Sequence, residues 1–454
     1  MKSSSRSRHA LSLGVVAILL AGCGGSPTVP PAAHNASEAS RSYVQGTETL
    51  DQLQTPIAHI IIIFQENRTP DYLFQGLRGA DISKTGIDSK GEVVPLHRVS
   101  LKAGYDLLHG HDAFVVDYDN GKLDGFDKAL PWAKHLEPFG YAPMSQVRPY
   151  HDMATQYVFA DHMFQSNQGP SFPAHQYIIS GRATDASLKP YEVSGNPRGA
   201  MPRGRGAGCD GPPASNVTTI DPHNGLAGPS PFPCFDPLVL SDLLDSKSVS
   251  WRYYQDSAGA GVWHAYDAVR HVRYGLDYAN VRWPSTAVLT DLSNGDLAAV
   301  TWVMPARPWS DHAGRGSTTM GPAWVAAIVN AIGESQFWNS SAIFVTWDDW
   351  GGWYDHVKPP IRNYYELGFR VPLIVISPYA KRRYVSKTQH EFGSILAFTE
   401  ETFGIQKGSL GTTDRRADDL RDAFDFSQKP RTFVPIKAPP FYGTSGQYAN
   451  DEDP

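Results

Sequence analysis

The sequence is short of several features that mark common classes of protein. It has three cysteines among 454 residues, and none of them has a CxxC partner, so a cysteine-held zinc cluster is not expected. No block of basic residues stands out and the formal net charge is −6, which gives nucleic-acid binding no support. Apart from a short apolar stretch over 10–21, the sequence has no long hydrophobic run, and no second segment is long enough to cross a membrane. We therefore expect a globular protein that does not bind nucleic acid.

The first residues are typical of a bacterial export signal. Basic residues precede an apolar stretch over 10–21, which is too short to span a bilayer as a mature helix. The stretch ends in the letters LAGC at 20–23, which resemble a lipobox. We predict a signal peptide over 1–22 and a lipid on Cys23. An ordinary signal peptide followed by a chance cysteine is the alternative.

Export would place the rest of the chain in an oxidising compartment. Residues 23–56 are rich in Ser, Pro, Ala and Gly and are predicted to be a flexible tether. With a lipid on Cys23, the protein would be a membrane-anchored lipoprotein in the periplasm or at the cell surface. The two remaining cysteines, Cys209 and Cys234, are candidates for a disulfide, although two unrelated thiols stay possible. They lie in a Gly- and Pro-rich stretch over 184–245, which we interpret as an insertion near the site.

The pattern of apolar runs predicts an α/β domain over 57–428, followed by a C-terminal tail over 429–454. Near-continuous apolar runs are typical of strands that are covered on both faces. Such strands are predicted at 57–64, 298–304, 342–347 and 371–376, and helices at 322–332 and 394–403. Alternation of strands with helices favours a mainly parallel central sheet with helices on both faces.

Two of the predicted strands end in oxygen-bearing side chains. Glu66 and Asn67 follow the first strand, and Asp348 and Asp349 follow the strand over 342–347. Open α/β sheets build their sites at the carboxyl ends of strands, and carboxylate and amide oxygens are ligands for hard cations. The pairs therefore predict one divalent metal cation between the two strands, of uncertain identity. Solvated turns are the alternative for each pair.

Ser171 is the candidate nucleophile. It lies in a turn between Gly169-Pro170 and Pro173, ahead of a stretch that is predicted to be a helix. The G-x-S-x-G turn of serine hydrolases is absent, so activation by a metal is the more natural interpretation. The alternative is that this serine only caps the helix.

Several segments together resemble the bacterial phosphoesterase family that contains phospholipases C and acid phosphatase A, within the alkaline-phosphatase-like superfamily. Any one of the segments is weak evidence, but the set follows the family's order over most of 57–404. The matching segments are QENRTPD at 65–71, GF at 125–126, GPSFP at 169–173, SDH at 310–312, TWDDWGGWYDHVKPP at 346–360 and GFRVPLIVISP at 368–378.

The resemblance implies metal-dependent hydrolysis of a phosphate ester through a phosphoseryl intermediate. It implies a metal site made by Glu66, Asn67, Ser171, Asp348 and Asp349, and a catalytic set made by Ser171, His312 and Asn67. Asp349 stands where the phospholipases frequently have Glu, and Ser171 where they frequently have Thr. These departures favour an acid phosphatase-like enzyme acting on a small phosphate ester, and the alternative is a phospholipase C acting on phosphatidylcholine-type lipids.

Other histidines are candidates for substrate binding. His109, His264 and His356 are the ones we select, and His356 is also placed to orient an acidic ligand or to pair with Asp355. His175 lies close to Ser171 in sequence, but we expect it to point elsewhere from the following helix.

Two other functions compete with phosphoester hydrolysis. A sulfatase would need the S-x-P-x-R motif, and position 175 is His in place of Arg. A surface lipoprotein that uses the fold only for binding is the non-enzymatic alternative.

Overall fold

Apolar β-branched residues form the centre of the fold. The computed structural model describes residues 55–128, 136–199, 206–314 and 316–443. The predicted signal peptide, Cys23, most of the tether and the end of the tail lie outside these ranges, and the domain boundaries remain predictions. Across the described ranges, every helix is too short or too polar to span a bilayer.

Two of the strands have seven residues each, and the others are shorter. They are numbered in chain order. They are β1 (His59–Gln65), β2 (Thr85–Ile87), β3 (Val93–Pro95), β4 (His97–Arg98), β5 (Gly140–Tyr141), β6 (Val158–Ala160), β7 (Met163–Phe164), β8 (Glu192–Val193), β9 (Thr219–Ile220), β10 (Trp251–Tyr254), β11 (Val281–Arg282), β12 (Val300–Val303), β13 (Ser341–Trp347), β14 (Leu373–Ile376), β15 (Tyr384–Ser386) and β16 (His390–Glu391).

The helices are numbered in the same way. They are α1 (Pro70–Leu73), α2 (His111–Tyr118), α3 (Met144–Gln156), α4 (Ser171–Ser180), α5 (Leu240–Ser246), α6 (Arg270–Tyr274), α7 (Ala287–Ser293), α8 (Gly321–Gly333), α9 (Phe392–Thr402) and α10 (Thr413–Arg416). Short 3₁₀ helices lie at Asp119–Gly121, Ala186–Leu188, Ala265–Ala268, Leu276–Asn280, Arg307–Trp309, Trp338–Ser340 and Arg421–Ala423.

Among the described residues, the largest sheet has eight strands in the order β11-β10-β12-β1-β13-β14-β6-β15. Strand β1 pairs in parallel with β12 and β13. Within this sheet only β14 runs in the opposite direction, since it is antiparallel to both β13 and β6. The predicted core strands are all present as β1, β12, β13 and β14. The prediction of a mainly parallel sheet is therefore confirmed.

Helices cover both faces of this sheet. Residues three apart on a strand point to opposite faces. On β13, Phe344 packs 5.3 Å from Phe398 of α9, whereas Trp347 packs 5.0 Å from Tyr150 of α3, measured between ring centroids. Both predicted helices are present, as α8 and α9, with bounds that differ by one or two residues at each end.

The segment over 184–245 contains short elements and the disulfide. The sulfur atoms of Cys209 and Cys234 are bonded at 1.94 Å, which confirms the predicted pair. Strands β8 and β9 form an antiparallel pair, and α5 packs against α4. Asn196 accepts a hydrogen bond of 2.9 Å from the backbone N–H of Phe172, so this segment contacts the first turn of α4.

Candidate active site

The carboxyl ends of β1 and β13 bring the two predicted ligand pairs together. The strands are in register up to Gln65 and Trp347, and the backbone N–H of Asp348 donates to the carbonyl of Gln65 at 3.0 Å. The next residues, Glu66 and Asp348, therefore leave adjacent strands at the same level. Glu66, Asp348 and Asp349 have no exposed surface, so three carboxylates are buried at one sheet edge.

Asn67 turns its side chain into this group of carboxylates. Its φ of 53° lies in the left-handed region, which Asn tolerates better than most residues. Its Nδ2 donates to both carboxylate oxygens of Asp349, at 3.0 and 3.1 Å, and its backbone N–H donates to Oδ1 of Asp348 at 2.8 Å. Arg68 holds the turn, because its Nη1 donates to the carbonyl of Asn67 at 2.7 Å.

Gly351 permits the close approach of the loop that follows β13. Its φ is +64°, and a Cβ there would lie 2.5 Å from the carbonyl oxygen of Asn67 and 2.8 Å from its Cβ. Its N–H donates to Oδ1 of Asp349 at 2.7 Å. A side chain at this position would therefore push apart two predicted ligands.

Ser171 is the first residue of α4 and not its cap. The cap position belongs to Pro170, so the interpretation of Ser171 as an N-cap is wrong. The hydroxyl of Ser171 donates toward Oε2 of Glu66 and Oδ2 of Asp349, each at 3.4 Å. The predicted nucleophile thus faces both predicted ligand pairs.

His175 joins the same group, against our expectation that it points elsewhere. It follows Ser171 by four residues, and residues i and i+4 lie on one face of a helix. Its Nε2 is 3.0 Å from Oε1 of Glu66 and 3.9 Å from Oδ2 of Asp348. The ring packs edge-on against Phe64 at 4.8 Å. The i, i+4 spacing from Ser171 is the signal in the sequence that indicates this position.

These residues suit a divalent cation. One ligand atom each from Glu66, His175 and Asp348 lie within 4.8 Å of one another. The amide oxygen of Asn67 is buried and has no hydrogen-bond partner, as expected of an oxygen kept for a cation. Oxygen donors with one imidazole nitrogen fit several divalent metals, so the donor set does not single one out.

His312 and His109 lie together in an aromatic environment. The Nδ1 atom of His312 is 2.7 Å from the carbonyl of Ala313, and that of His109 is 2.6 Å from the carbonyl of Leu107. A carbonyl only accepts, so each Nδ1 is the donor in these contacts and carries a proton. The two rings are 5.8 Å apart, and His109 also lies 6.3 Å from the ring of Trp350.

His264 pairs with two carboxylates that are not among the predicted ligands. Its Nε2 is 2.5 Å from Oδ1 of Asp256, and its Nδ1 is 3.4 Å from Oδ2 of Asp267. Burial lowers the pKa of His264, but the charge and hydrogen bond of Asp256 outweigh it and raise the pKa to about 10. Its neighbour Trp263 packs 5.9 Å from His312. Its predicted contact with substrate stays a prediction.

His356 also forms ion pairs. Its Nδ1 is 2.7 Å from Asp71 and its Nε2 is 3.1 Å from Asp81. Burial opposes its protonation, yet the hydrogen bond and charge of Asp71 raise the pKa of His356 to about 9. A role in substrate binding stays a prediction, and the ring of His356 bonds to Asp71 and Asp81, not to Asp355 as the alternative expected.

Asp311 is a buried carboxylate in the SDH segment at 310–312, and the sequence predicts a role only for its neighbour His312. Its Oδ2 accepts hydrogen bonds from the hydroxyl of Tyr150 at 2.8 Å and from the indole of Trp347 at 3.0 Å. Burial raises its pKa to about 6, although the charge of Arg68 works against this. Asp311 thereby ties the segment that carries His312 to the end of β13.

Comparison with known proteins identifies the family of the chain. The chain belongs to the Phosphoesterase family, which it matches over residues 57–406. It is 24% identical to the non-hemolytic phospholipase C of Pseudomonas aeruginosa, over 82% of this chain and 57% of that protein. It is 23% identical to phospholipase C B of Mycobacterium tuberculosis, over 84% of this chain and 80% of that protein.

The chain spans 57% of the length of the Pseudomonas aeruginosa non-hemolytic enzyme and 56% of that of the hemolytic one. A solved protein of the alkaline phosphatase superfamily from Vibrio parahaemolyticus is 9% identical, with a TM-score of 0.38, over 80% of this chain and 69% of that chain.

Proposed function

We propose that this protein hydrolyses phosphate esters with Ser171 as the nucleophile and one divalent cation in the site. The observation that carries the proposal is the position of the Ser171 hydroxyl, 3.4 Å from both Glu66 and Asp349 in a fully buried group of carboxylates. Membership of the Phosphoesterase family supports the choice of phosphorus as the reacting centre.

The residues that would hold the cation lie at the carboxyl ends of β1 and β13 and on α4. They are Glu66, Asn67, His175, Asp348 and Asp349, together with the Ser171 hydroxyl. When bound, a divalent cation supplies positive charge beside the phosphoryl oxygens and favours ionisation of the hydroxyl. Within the chain, Asn67 contributes an N–H that orients Asp349.

In the first step, Ser171 Oγ bonds to phosphorus while the bond from phosphorus to the leaving oxygen breaks. The Ser171 proton passes to a carboxylate that it faces, Glu66 or Asp349. Nε2 of His312 donates a proton to the leaving oxygen, since its Nδ1 already bonds to the carbonyl of Ala313.

In the second step, water attacks phosphorus and its proton returns to His312. The bond between phosphorus and Ser171 then breaks, and the hydroxyl recovers its proton from the carboxylate. Phosphate, or a phosphate monoester in the case of a diester substrate, leaves the site, and every residue regains its starting state.

We take a small phosphate monoester, as in an acid phosphatase, as the first candidate substrate. Ser171 and Asp349 support it, because they stand where the phospholipase pattern frequently has Thr and Glu. A phospholipase C activity is the second candidate, and the names of relatives from Pseudomonas aeruginosa and Mycobacterium tuberculosis favour it. Rates on p-nitrophenyl phosphate and p-nitrophenylphosphorylcholine distinguish the two.

The Ser171→Ala variant tests the nucleophile. We expect kcat to fall by about 10³-fold or more with an unchanged melting temperature. The hydroxyl is the reacting group, and its hydrogen bonds go to side chains and not to the backbone. Acid-quenched parent enzyme should carry a phosphate on the peptide that contains Ser171, as seen by mass spectrometry. Ser187→Ala, at an exposed serine, is the control. Full activity of Ser171→Ala would refute the assignment.

We also propose that the protein is exported and anchored in a membrane through lipid on Cys23. The disulfide between Cys209 and Cys234 supports an oxidising compartment. The Cys23→Ala variant should move from the membrane fraction to the soluble extracytoplasmic fraction. An unchanged membrane fraction would refute the anchor.

A further inference from the structure

The segment that carries His312 is attached to the ends of both strands that precede the predicted ligands. Gln65 directly precedes Glu66, and its amide group forms two hydrogen bonds with this segment. Its Nε2 donates to the carbonyl of Trp309 at 3.0 Å, and its Oε1 accepts from the backbone N–H of Asp311 at 3.2 Å. Gln65 has no exposed surface, and hydrogen bonds are stronger in such an interior than in water. The segment is therefore held firmly against the end of β1.

The side chain of Asp311 makes the second attachment. Its Oδ2 accepts a hydrogen bond from the indole of Trp347, which directly precedes Asp348, and another from the hydroxyl of Tyr150 on α3. All of these side chains are fully buried. Hydrogen bonds to a carboxylate are stronger than those between neutral groups. Asp311 thereby fixes the segment relative to the ligand pair after β13, as Gln65 does relative to the pair after β1.

Stability alone does not account for a buried carboxylate at position 311. Burying a charged group costs free energy, and replacing buried polar groups by well-packed apolar ones is often neutral or stabilising. Among the residues that the structure describes, Oδ1 of Asp311 has no hydrogen-bond partner. Gly321, at the start of α8, leaves room for this oxygen, because a Cβ there would clash with it. The interior is thus shaped around an acidic side chain that directly precedes His312.

The ring of His312 has little freedom to move independently of Asp311. It has no exposed surface, and its Nδ1 is bonded to the carbonyl of Ala313, the next residue. On the far side of the ring, the backbone N–H of Gly314 donates to the carbonyl of Ala103 at 2.9 Å. The segment is therefore held on both sides of His312, and the position of the ring follows from that of the Asp311 backbone.

We propose that Asp311 is a positioning residue that sets where the imidazole of His312 meets the leaving oxygen of the substrate. The proposal rests on the proposed function, in which Nε2 of His312 protonates that oxygen, and deepens it by naming the residue that places the acid. Asp311 itself exchanges no proton in the reaction. A general acid acts only within hydrogen-bond reach of the leaving oxygen, so a displaced segment slows the first step. The loss is largest for esters whose leaving oxygen is more basic, because these depend most on protonation.

Substitutions in the full chain that remove or keep the hydrogen bonds of Asp311 test the proposal. Asp311→Ala removes both bonds of the side chain, and Tyr150→Phe removes one of them by deleting a single oxygen atom. Asp311→Asn keeps an oxygen that can accept both donors. The matched control is Tyr379→Phe, because Tyr379 is also buried but its hydroxyl donates to the carbonyl of Asn339.

The assay compares the p-nitrophenyl ester that the parent accepts, of phosphate or of phosphorylcholine, with the corresponding phenyl ester, whose leaving oxygen is more basic. We expect kcat/KM of Asp311→Ala to fall by about 10²-fold on the phenyl ester and by about tenfold or less on the p-nitrophenyl ester. Tyr150→Phe should show the same order with smaller losses. Asp311→Asn and Tyr379→Phe should stay within about threefold of the parent. The metal content should be equal in all of these proteins, since Asp311 is not among the proposed ligands.

Nuclear magnetic resonance of protein that contains isotopically labelled histidine reports on the ring of His312 without requiring turnover. The His312→Gln variant identifies its signals by their loss. We expect these signals to shift or broaden in Asp311→Ala and to keep their positions in Tyr379→Phe, because only the first substitution releases the segment that carries the ring.

Unchanged His312 signals in Asp311→Ala would overturn the proposal whatever the activity of that variant. Equal losses on the two esters, or loss of metal, would also overturn it and assign Asp311 to general stability or to the metal site. None of these results bears on the nucleophile, which Ser171→Ala tests separately. A parent that cleaves neither ester, but whose His312 signals change in Asp311→Ala, contradicts the proposed enzyme and supports the placement of the ring by Asp311.

Discussion

Nε2 of His175 lies 3.0 Å from Oε1 of Glu66, and neither side chain has any exposed surface. The contact joins α4 to the end of β1, so the helix that begins at Ser171 is attached to the strand that precedes the first two predicted ligands. It also adds an imidazole to a set of oxygen donors. The affinity of this site for a cation should therefore depend on His175 as well as on the carboxylates.

Replacing His175 tests this sensitivity. His175→Ala should lower metal affinity by about 10–100-fold, the range seen when groups that orient or complete a metal site are lost. Metal content of the purified protein and titration of the metal-free protein measure it. His151→Ala is the matched control, because His151 is also buried but bonds to the carbonyl of Leu73. Equal affinity in both variants would contradict a role for His175.

Removal of the metal should destabilise the protein as well as inactivate it. Without a cation, the buried carboxylates of Glu66, Asp348 and Asp349 repel one another. A ligand present at about 100 times its Kd stabilises the folded state by about 2.7 kcal/mol, so a chelator should lower the melting temperature by several degrees, as measured by calorimetry.

The Asp348→Asn variant controls for other effects of the chelator. The backbone N–H groups of Asn67 and Asp349 each donate to Oδ1 of Asp348 at 2.8 Å. The amide oxygen of the variant can still accept both hydrogen bonds. The variant should fold but bind metal weakly, and the chelator should leave its melting temperature unchanged. An equal drop in both proteins would place the metal elsewhere.

Gly351→Ala should impair the site more than it impairs the fold elsewhere. The new Cβ would lie 2.5 Å from the carbonyl of Asn67, in a backbone conformation that alanine disfavours. We expect a loss of about 1–3 kcal/mol in unfolding free energy and at least a tenfold loss of kcat.

Gly91→Ala is the control for the backbone cost alone. Gly91 has a φ of +79°, and a Cβ there meets no atom within 4 Å. Urea unfolding should show a comparable backbone cost in this variant, whereas its activity should equal that of the parent. A normal kcat in Gly351→Ala would show that the loop tolerates the displacement.

The ion pair of His264 should make stability fall at alkaline pH. Burial opposes protonation of His264, but Asp256 raises its pKa in the folded state from 6.5 to about 10. The contribution is therefore fully present below pH 6.5 and is lost as the pH rises toward about 10. Each unit of the pKa difference corresponds to about 1.4 kcal/mol at most.

Urea unfolding across this pH range, with the His264→Gln variant beside the parent, measures the effect. The variant should be less stable near pH 6, and its free energy of unfolding should fall less than that of the parent toward alkaline pH. The difference between the two proteins should be at most about 1.4 kcal/mol per unit of the pKa difference of His264. His97→Gln, at an exposed histidine, is the control. Parallel pH profiles for the parent and His264→Gln would contradict the ion pair.

The sequence predicts the centre of the fold well because local patterns determine it. The apolar runs that become β1 and β13 are continuous, and strands buried on both faces need such runs. Parallel pairing then brings their carboxyl ends together, which is why Glu66 and Asp348 are found side by side. The reversed direction of β14 is not encoded in its apolar run, and pairing with β6 and β13 decides it.

The periphery of the site is harder to predict because distant contacts determine it. The i, i+4 spacing of Ser171 and His175 was available, but only the position of α4 over Glu66 shows which face matters. Nothing near His356 in sequence indicates that Asp71 and Asp81 hold its ring. Several histidines of this chain are fixed between carboxylates, and sequence alone does not separate them from a histidine that meets substrate.

The hydrogen bond from the Phe172 N–H to Asn196 has a consequence for transplanting loops between relatives. It makes the Gly- and Pro-rich segment over 184–245 a support for the helix that starts at the proposed nucleophile, Ser171. A chimaera that receives this segment from another protein would inherit a new support for that helix along with new surface. Grafts meant to change which molecules reach the centre should therefore keep an acceptor at position 196, so that chemistry and selectivity can be altered separately.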